Sequence, residues 1–293
     1  MRERDLVGRQ GRFIVEGEVT LRAMLSGRAR FGLESVLLAP GREALADGIA
    51  EGPEAPPIYV APRGVMEAIT GFPIHRGVLA VGLRGAPCAP DALIPPPPAP
   101  ALVLALVGLT NHDNVGGLLR NAAAFGADAV LLDPETCDPL YRKAIRVSAG
   151  AALTQPFARI AGADDWLALA ERHALAPLAL TPRGGEDLRA LAPPPRCLLL
   201  LGAEGPGLPP ALLARARGIR IAMAPGFDSL NVATAGGIAL HHLARDRACA
   251  PDRSSDARNA SWAVRATLGT HCPRSVSGQD GTVGDAAGRD GAG

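Results

Sequence analysis

Two stretches of almost uninterrupted apolar residues most constrain the fold of this chain. "ALVLALV" covers residues 101–107 and "CLLLL" covers residues 197–201. A strand that is apolar at successive positions buries both of its faces, as strands of a parallel sheet do when helices cover both sides. Similar runs alternate with amphipathic helical patterns along the C-terminal half of the chain. We therefore predict an α/β fold with a parallel sheet in that half.

The alternation also predicts the order of the elements. The predicted strands cover residues 101–109, 128–132, 176–180, 196–202 and 218–223. The predicted helices cover residues 115–126, 139–150, 164–174, 209–216 and 231–245, from apolar residues recurring at helical spacing. Ligands of parallel sheets bind at the carboxyl ends of the strands. The residues that directly follow each predicted strand are therefore the first candidates for a functional site.

Composition divides the 293-residue chain into regions. Residues 85–100 are rich in proline, which favours extended backbone, so we predict an interdomain linker. It would separate a small α/β domain at residues 1–84 from the parallel-sheet domain at residues 101–247. Residues 248–293 are rich in Gly, Ser, Arg and Asp without a sustained period, which predicts a disordered tail.

Charge, cysteine spacing and hydropathy argue against several classes of function. The net charge of +1 provides no global attraction for a polyanion, so any contact with nucleic acid must be local. The five cysteines are widely spaced without a CxxC pair, which argues against both a metal site and a disulfide framework. No apolar run approaches the roughly 20 residues of a membrane helix. We expect a cytoplasmic protein without a membrane or metal partner.

The first unusual stretch follows the strand at 101–109 and reads "NHDNVGGLLRNAAAFG". Asn114 is predicted to cap the next helix at its N-terminus. Arg120 is expected on the exposed side beside Gly116, where a ligand could approach the backbone closely. The alternative is an ordinary solvated arginine on a capped helix. The side predicted to face the sheet consists of Val115, Leu118, Leu119, Ala122 and Gly126.

Two further strand ends carry similar signals. "CLLLLGAEGPGLPPALL" places Glu204 among glycines after Gly202, which indicates either a binding loop or a tight turn with a solvated carboxylate. The phosphate-binding patterns GxxxxGK[ST] and GxGxxG are absent after the predicted strands. "IRIAMAPGFDSLNVATAGGIALHHLAR" places Ser229 and Asn231 before a helix that either could cap. His241 and His242 are expected to interact with the end of that helix rather than with a metal.

Together, in order and approximate spacing, "NVGGLLRNAAAFG", "LLLLGAEGPGL" and "IRIAMAPGFDSLNVATAGGIAL" resemble the three motifs of the SpoU (TrmH-like) branch of the SPOUT RNA methyltransferases. The resemblance spans roughly residues 101–246. The segments "FIVEG" and "GFPIHRGVLAV" are similar to the small ribosomal-protein-like RNA-binding domain that many members carry. The resemblance implies a homodimeric 2′-O-ribose methyltransferase that uses S-adenosylmethionine, has a deep trefoil knot and acts on structured RNA, with rRNA slightly favoured over tRNA.

The resemblance also assigns residues to roles. The catalytic set it implies is Asn114, Arg120, Glu204, Ser229 and Asn231. The cofactor-binding set it implies is Leu201, Gly202, Glu204, Ile221, Met223, Leu230 and Asn231. One departure from the family pattern is that Ala222 follows Ile221, where proline is common, while Pro225 precedes Gly226.

RNA contact would involve Arg9, Arg12 and Arg120, together with Arg2 and Arg4, because guanidinium groups bind phosphates. Arg120 would either activate the ribose hydroxyl as a base or stay charged and stabilise the developing alkoxide. Two alternatives remain: a catalytically inactive RNA-binding or assembly protein that keeps the fold, and an unrelated nucleotide-binding enzyme on a doubly wound sheet. The missing phosphate motifs count against the second.

Overall fold

The structure is a computed structural model that describes residues 3–49, 55–71, 73–74, 76–162, 165–182 and 184–245. The tail predicted at 248–293 lies outside these residues, as do Arg2 and the side chain of Arg4. Within the described ranges, no helix is long and apolar enough to cross a membrane.

The N-terminal region forms a sheet of four strands in the described residues, in the order β1-β4-β2-β3. Strand β4 pairs antiparallel with β1 and β2, whereas β3 lies parallel to β2 at the edge. The elements are α1 (Glu3–Arg9), β1 (Arg12–Glu16), α2 (Glu18–Leu25), β2 (Gly32–Leu38), β3 (Ile58–Val60), α3 (Arg63–Thr70) and β4 (Val78–Leu83).

The second sheet has seven strands in the described residues, in the order β7-β6-β5-β10-β8-β11-β9, and all its paired strands run parallel. This confirms the prediction of an α/β fold with a parallel sheet. The elements are β5 (Ala101–Val107), α4 (His112–Ala124), β6 (Ala129–Leu132), α5 (Arg142–Val147), α6 (Ala151–Thr154), β7 (Phe157–Arg159), α7 (Asp165–Arg172), β8 (Ala176–Leu180), β9 (Glu186–Asp187), β10 (Arg196–Gly202), α8 (Pro210–Arg215), β11 (Arg217–Arg220) and α9 (Val232–Leu243).

The apolar run of β5 is buried on both faces, as the sequence predicts. Its residues are all buried, and they divide between two hydrophobic cores. Leu104 and Leu106 belong to a core on one side of the sheet, and Val103 and Ala105 belong to a core on the other. Because alternate residues of a strand point to opposite faces, this division means that both faces of the sheet are covered.

Helix α4 begins earlier than predicted, and Asn114 is not its N-cap. The cap is Asn111, whose side-chain oxygen accepts a hydrogen bond from the amide of Asp113 at 2.9 Å. An asparagine three residues earlier meets the same capping requirement, so Asn114 lies one turn inside the helix. Gly116 is buried rather than exposed, because α5 packs directly against it. A Cβ at Gly116 would lie 2.8 Å from the carbonyl oxygen of Ala144 in α5.

Other element boundaries also differ from the predictions. The predicted sheet-facing residues of α4 are buried except Gly126, which is exposed beyond the helix end. The helix predicted at 139–150 is shorter in the structure, where α5 ends at Val147. Ala149 and Gly150 adopt positive φ angles of 51° and 85°, and the separate helix α6 begins at Ala151. The strand predicted at 218–223 ends at Arg220, and the one predicted at 101–109 ends at Val107.

The proline-rich segment is packed against the second sheet. Ile94 is buried in one of its two cores, and the Asp91 carboxylate contacts Arg172 and His173 at 3.0 and 2.8 Å. The guanidinium of Arg196 donates hydrogen bonds to backbone carbonyls of the same segment. These contacts attach the proline-rich segment to the C-terminal region.

The two sheets are joined by an interface of helices. The buried carboxylate of Glu16 at the end of β1 accepts a hydrogen bond from Arg142 of α5 at 2.8 Å. Gly150 lies so close to α2 that a Cβ would be 2.6 Å from the Cβ of Ala23. Because α5 and α6 also pack against α4, these two helices connect the N-terminal region to the helix that carries the first motif.

Candidate active site

Three of the predicted catalytic side chains form one hydrogen-bonded cluster. Asn114 Nδ2 donates to Glu204 Oε1 at 2.9 Å, and Asn231 Nδ2 donates to Asn114 Oδ1 at 2.8 Å. Asn231 Nδ2 also lies 3.4 Å from Glu204 Oε1. Asn114 is 4% exposed, whereas Glu204 lies in an exposed turn after β10. The cluster therefore joins α4, this turn and the start of α9.

The cap of α9 determines which way these amides point. The side-chain oxygen of Asn231 accepts hydrogen bonds from the amides of Ala233 and Thr234, at 2.9 and 3.2 Å. Its NH₂ group must therefore face Asn114 and Glu204, because a side-chain amide has one acceptor and one donor end. The amide of Asn114 is oriented in turn, with its oxygen toward Asn231. Glu204 Oε1 consequently receives donors from two amides.

Close packing of α4 against α9 brings these residues together. A Cβ at Gly117 would lie 3.0 Å from the Cβ of Ala233, and Asn121 Nδ2 donates to the carbonyl of Ala233 at 2.8 Å. Gly236 of α9 lies against Leu118 of α4, where a Cβ would approach the leucine to 2.4 Å. Glycines at these positions let the two helix backbones approach closely.

A cavity of about 480 Å³ opens at the carboxyl ends of β8 and β10. Its polar wall includes Ser229, whereas Glu204 and Asn231 do not line it. Their chain neighbours Gly205 and Val232 do line it, so the polar cluster adjoins the cavity. The predicted catalytic and cofactor-binding residues in its wall are Leu201, Gly202, Ile221, Met223, Ser229 and Leu230.

Arg120 is exposed and lines a different depression, of about 610 Å³, between α4 and α9. Within the described part of the chain, its guanidinium forms no hydrogen bond or ion pair. The first turns of α9 separate the two hollows, since Val232 faces the cavity and Thr234 faces the depression. The structure therefore brings together three of the five predicted catalytic residues, places Ser229 in the cavity and places Arg120 on the adjacent surface.

Comparison with known proteins identifies the family to which this chain belongs. The SpoU rRNA Methylase family matches residues 101–241, which run from β5 into α9. An uncharacterized tRNA/rRNA methyltransferase of Mycobacterium bovis is 37% identical over 254 residues, which cover 83% of this chain and 84% of the relative. The chain belongs to the SpoU family of RNA methyltransferases.

Two solved structures resemble the SpoU chain in fold. The rRNA methyltransferase of Sinorhizobium meliloti with AdoMet bound is 27% identical, with a TM-score of 0.69 over 84% of this chain and 90% of that one. An RNA 2′-O ribose methyltransferase is 25% identical, with a TM-score of 0.68 over 84% of this chain and 95% of that one. Both alignments extend beyond residues 101–241, because they cover 84% of the chain.

The third SpoU motif has an irregular backbone in this chain. Residues 221–231 form no helix or strand, and a turn at Pro225–Gly226 gives Gly226 a φ of 89°. Ala222 is exposed in this segment. Despite the departure from the family pattern, Ile221 and Met223 still line the cavity.

Sequence reasoning missed one wall of the cavity. Leu180, Thr181 and Pro182 line it at the end of β8, and Asp228 lines it from the third motif. The signal was available, because Leu180 ends the strand predicted at 176–180 and Thr181 and Pro182 directly follow it. Leu180, Thr181 and Pro182 include no charged residue and no glycine, so their residue types did not mark them as unusual.

Several other predicted residues have specific partners. Both histidines lie in the last turn of α9, as predicted. His242 Nε2 is also 2.8 Å from the carbonyl oxygen of Leu191, and the ring of His241 packs edge-on against Phe125. Arg12 Nε donates to Glu34 Oε2 at 2.5 Å, and this carboxylate raises the pKa of Arg12. Arg9 is exposed at the end of α1. Among the residues that the structure describes, no group of three or more His, Cys, Asp or Glu side chains could hold a metal ion.

Proposed function

We propose that this SpoU protein transfers a methyl group from S-adenosylmethionine to a ribose 2′-hydroxyl of a structured RNA, with rRNA slightly favoured over tRNA. The observation that carries the proposal is the cavity formed by the second and third motifs, with the Asn114–Glu204–Asn231 cluster beside it. The AdoMet-bound methyltransferase of similar fold supports the cofactor. The similar 2′-O ribose methyltransferase supports the site of methylation.

The residues present fit S-adenosylmethionine. The cavity volume of about 480 Å³ falls within the range of small-molecule sites, and Leu201, Ile221, Met223 and Leu230 provide apolar side chains to enclose an adenine ring. A Cβ at Gly202 would lie 2.4 Å from the backbone of Gly207, so the glycine loop lies directly against the end of β10. When bound, the cofactor supplies an electrophilic methyl group.

The protein's own task is then to hold the ribose hydroxyl in line and to accommodate its proton. Arginine stays protonated in proteins, so Arg120 would bind an RNA phosphate and stabilise the developing alkoxide as a cation. The proton would pass to water or to a phosphate oxygen. Glu204 Oε1 is occupied by the two amides, which leaves Oε2 to accept a hydrogen bond from the ribose. Ser229 would contact the substrate from the cavity wall.

The assembly implied by the family is part of the same proposal. A homodimer formed on Phe125, His241 and the exposed Ile238 would cover apolar surface of α4 and α9. A trefoil knot is supported by the path of α9, which returns from β11, the neighbour of the edge strand β9, to pack on α4 and contacts the β9–β10 connection through His242. We further propose that the N-terminal sheet binds RNA, and that the protein acts in the cytoplasm, where structured RNA is available.

Transfer of labelled methyl groups from S-adenosylmethionine to total RNA tests the function. We expect one labelled nucleotide whose 3′ phosphodiester resists alkaline hydrolysis, because a methylated 2′-oxygen cannot attack it. Calorimetry with S-adenosylmethionine should show binding to the purified protein. Binding without transfer to any RNA would favour the inactive RNA-binding protein, and binding of ATP or NAD without S-adenosylmethionine would favour an unrelated nucleotide enzyme.

Gly202→Ala should weaken S-adenosylmethionine binding about 10- to 100-fold, because overpacking by one methyl group typically costs about 1–3 kcal/mol. The new Cβ would lie 2.4 Å from the carbonyl carbon of Gly207 and from the amide nitrogen of Leu208, and backbone atoms cannot rotate away. The loop that forms one wall of the cavity must therefore move. Isothermal titration measures the change.

Gly64→Ala is the matched control for this loss of affinity. Gly64 lies in α3 with open space around it and an ordinary φ angle, so an added methyl group meets no neighbour. The control should bind the cofactor as the unmodified protein does. If Gly202→Ala also binds normally, the cavity is not the cofactor site.

A further inference from the structure

The exposed side of α5 presents two cations close to Arg120. Lys143 and Arg146 are three residues apart, so they lie on the same side of the helix, and their side chains are 54% and 51% exposed. Val147, the next residue, lines the same depression as Arg120. Helix α5 therefore places a basic surface, formed by Lys143 and Arg146, next to the arginine of the first SpoU motif.

Tight packing between α4 and α5 makes this basic surface continuous with Arg120. A Cβ at Gly116 of α4 would lie 2.8 Å from the carbonyl oxygen of Ala144 and 3.0 Å from the Cβ of Val147. Packed helices have axes about 8–10 Å apart, a separation that Lys and Arg side chains can span. Charges on the two helices can therefore contact neighbouring groups of one extended ligand.

Nearby carboxylates neutralise the basic surface only in part. The Arg146 guanidinium lies 4.0 Å from Glu16, whose buried carboxylate already accepts a hydrogen bond from Arg142 at 2.8 Å. Lys143 pairs with Asp113 at 2.7 Å, but both side chains are about half exposed, and such surface pairs contribute little stability. A phosphate could therefore compete for Lys143, while Arg146 is available beside the occupied Glu16.

We propose that Lys143 and Arg146 bind backbone phosphates of the RNA strand that leads to Arg120. This proposal rests on the proposed function, and it names a phosphate-binding surface on the catalytic domain itself. Phosphate contacts of this kind position an RNA without reading its bases. An acidic protein would satisfy the same charges, but the continuity with Arg120 favours RNA. Arg12 contributes less to the RNA contact, because its guanidinium is paired with Glu34.

The double variant Lys143→Gln/Arg146→Gln tests the surface, with purified, fluorescently labelled total ribosomal RNA as the probe. At about 0.1 M salt we expect RNA binding to weaken about 10-fold or more, because two phosphate contacts are lost. The slope of log affinity against log salt should become shallower by about 1.4 to 1.8, since each contact contributes about 0.7 on single strands and 0.9 on duplexes. Affinity for S-adenosylmethionine should be unchanged.

The matched control is Arg189→Gln/Arg217→Gln, which removes the same charge from the far edge of the sheet. Arg189 pairs with Asp187, and Arg217 pairs with Glu186, so this variant also leaves carboxylates without partners. It should bind RNA nearly as well as the unmodified protein, with a similar salt slope. Equal loss in both variants would mean that only net charge matters and would overturn the proposal.

Two further outcomes would contradict the inference. If Lys143→Gln/Arg146→Gln binds RNA with the same affinity as the control variant, RNA does not cross α5. This conclusion would hold even if the unmodified protein methylates RNA normally. Competition by polyglutamate as strong as competition by RNA would favour an acidic protein partner. Failure of the unmodified protein to bind S-adenosylmethionine or methylate RNA would instead overturn the proposed function. If the double variant melts early, the exposed Lys143→Gln alone should still reduce the salt slope by about half as much.

Discussion

Arg120→Ala is expected to lower the rate constant for methyl transfer by about 10²- to 10³-fold, the usual effect of removing one group that stabilises charge in a transition state. Affinity for S-adenosylmethionine should be almost unchanged, because Arg120 does not line the cavity of about 480 Å³. Its guanidinium has no hydrogen-bond partner among the described residues, so the substitution removes no hydrogen bond within this part of the chain. The effect should therefore fall on the reaction rather than on the fold.

Single-turnover kinetics at saturating RNA measure this effect separately from binding. Arg63→Ala serves as the control, since Arg63 is an exposed arginine at the start of α3 in the other sheet region. The control should retain the rate of the unmodified protein once RNA is saturating. An equal decrease in the rate constant and in cofactor affinity for Arg120→Ala would contradict the role proposed for this arginine.

Arg196→Met should destabilise the protein by about 2–4 kcal/mol, because a hydrogen bond to a charged group contributes about 1.5–3 kcal/mol and the lost desolvation of the charge offsets part of the sum. Arg196 is 7% exposed at the start of β10. Its guanidinium donates to the carbonyls of His173 at 2.7 Å, of Pro95 at 2.8 Å and of Ala99. Methionine has a similar length, so the loss would come from hydrogen bonds rather than from volume.

Urea unfolding followed by circular dichroism measures the change, and the midpoint should decrease without a large change in slope. Faster exchange of the backbone amides of Ala99 and Ala101, the two residues of 95–101 that are not proline, would connect the loss to release of the proline-rich segment. Arg189→Met is the control, because Arg189 is 81% exposed and surface substitutions usually change stability by less than about 0.5 kcal/mol. A loss below about 1 kcal/mol for Arg196→Met would mean that water replaces the guanidinium at these carbonyls.

The elements that could be predicted are those with strong local patterns. β5 and β10 are apolar at nearly every position, and their limits differ from the predictions by no more than two residues. β7 and β9, at the two edges of the sheet, have three and two residues and were not predicted, because so short a segment shows no period. The break between α5 and α6 was also missed, since Ala149 adopts a backbone conformation that alanine rarely takes.

The sequence by itself determined the parallel sheet, the SpoU motifs and the residue types of the candidate site, because these depend on local pattern. Only the tertiary structure decided which candidates meet. The hydrogen bonds of Asn114 to Glu204 and to Asn231 join residues 90 and 117 positions apart, and no local pattern specifies such contacts. The structure also decided that Asn111 rather than Asn114 caps α4, because two asparagines in one turn compete for a single cap. Arg120 lies outside this cluster because the packing of α9 on α4 determines which side of α4 faces the cavity. The first motif alone does not specify that packing.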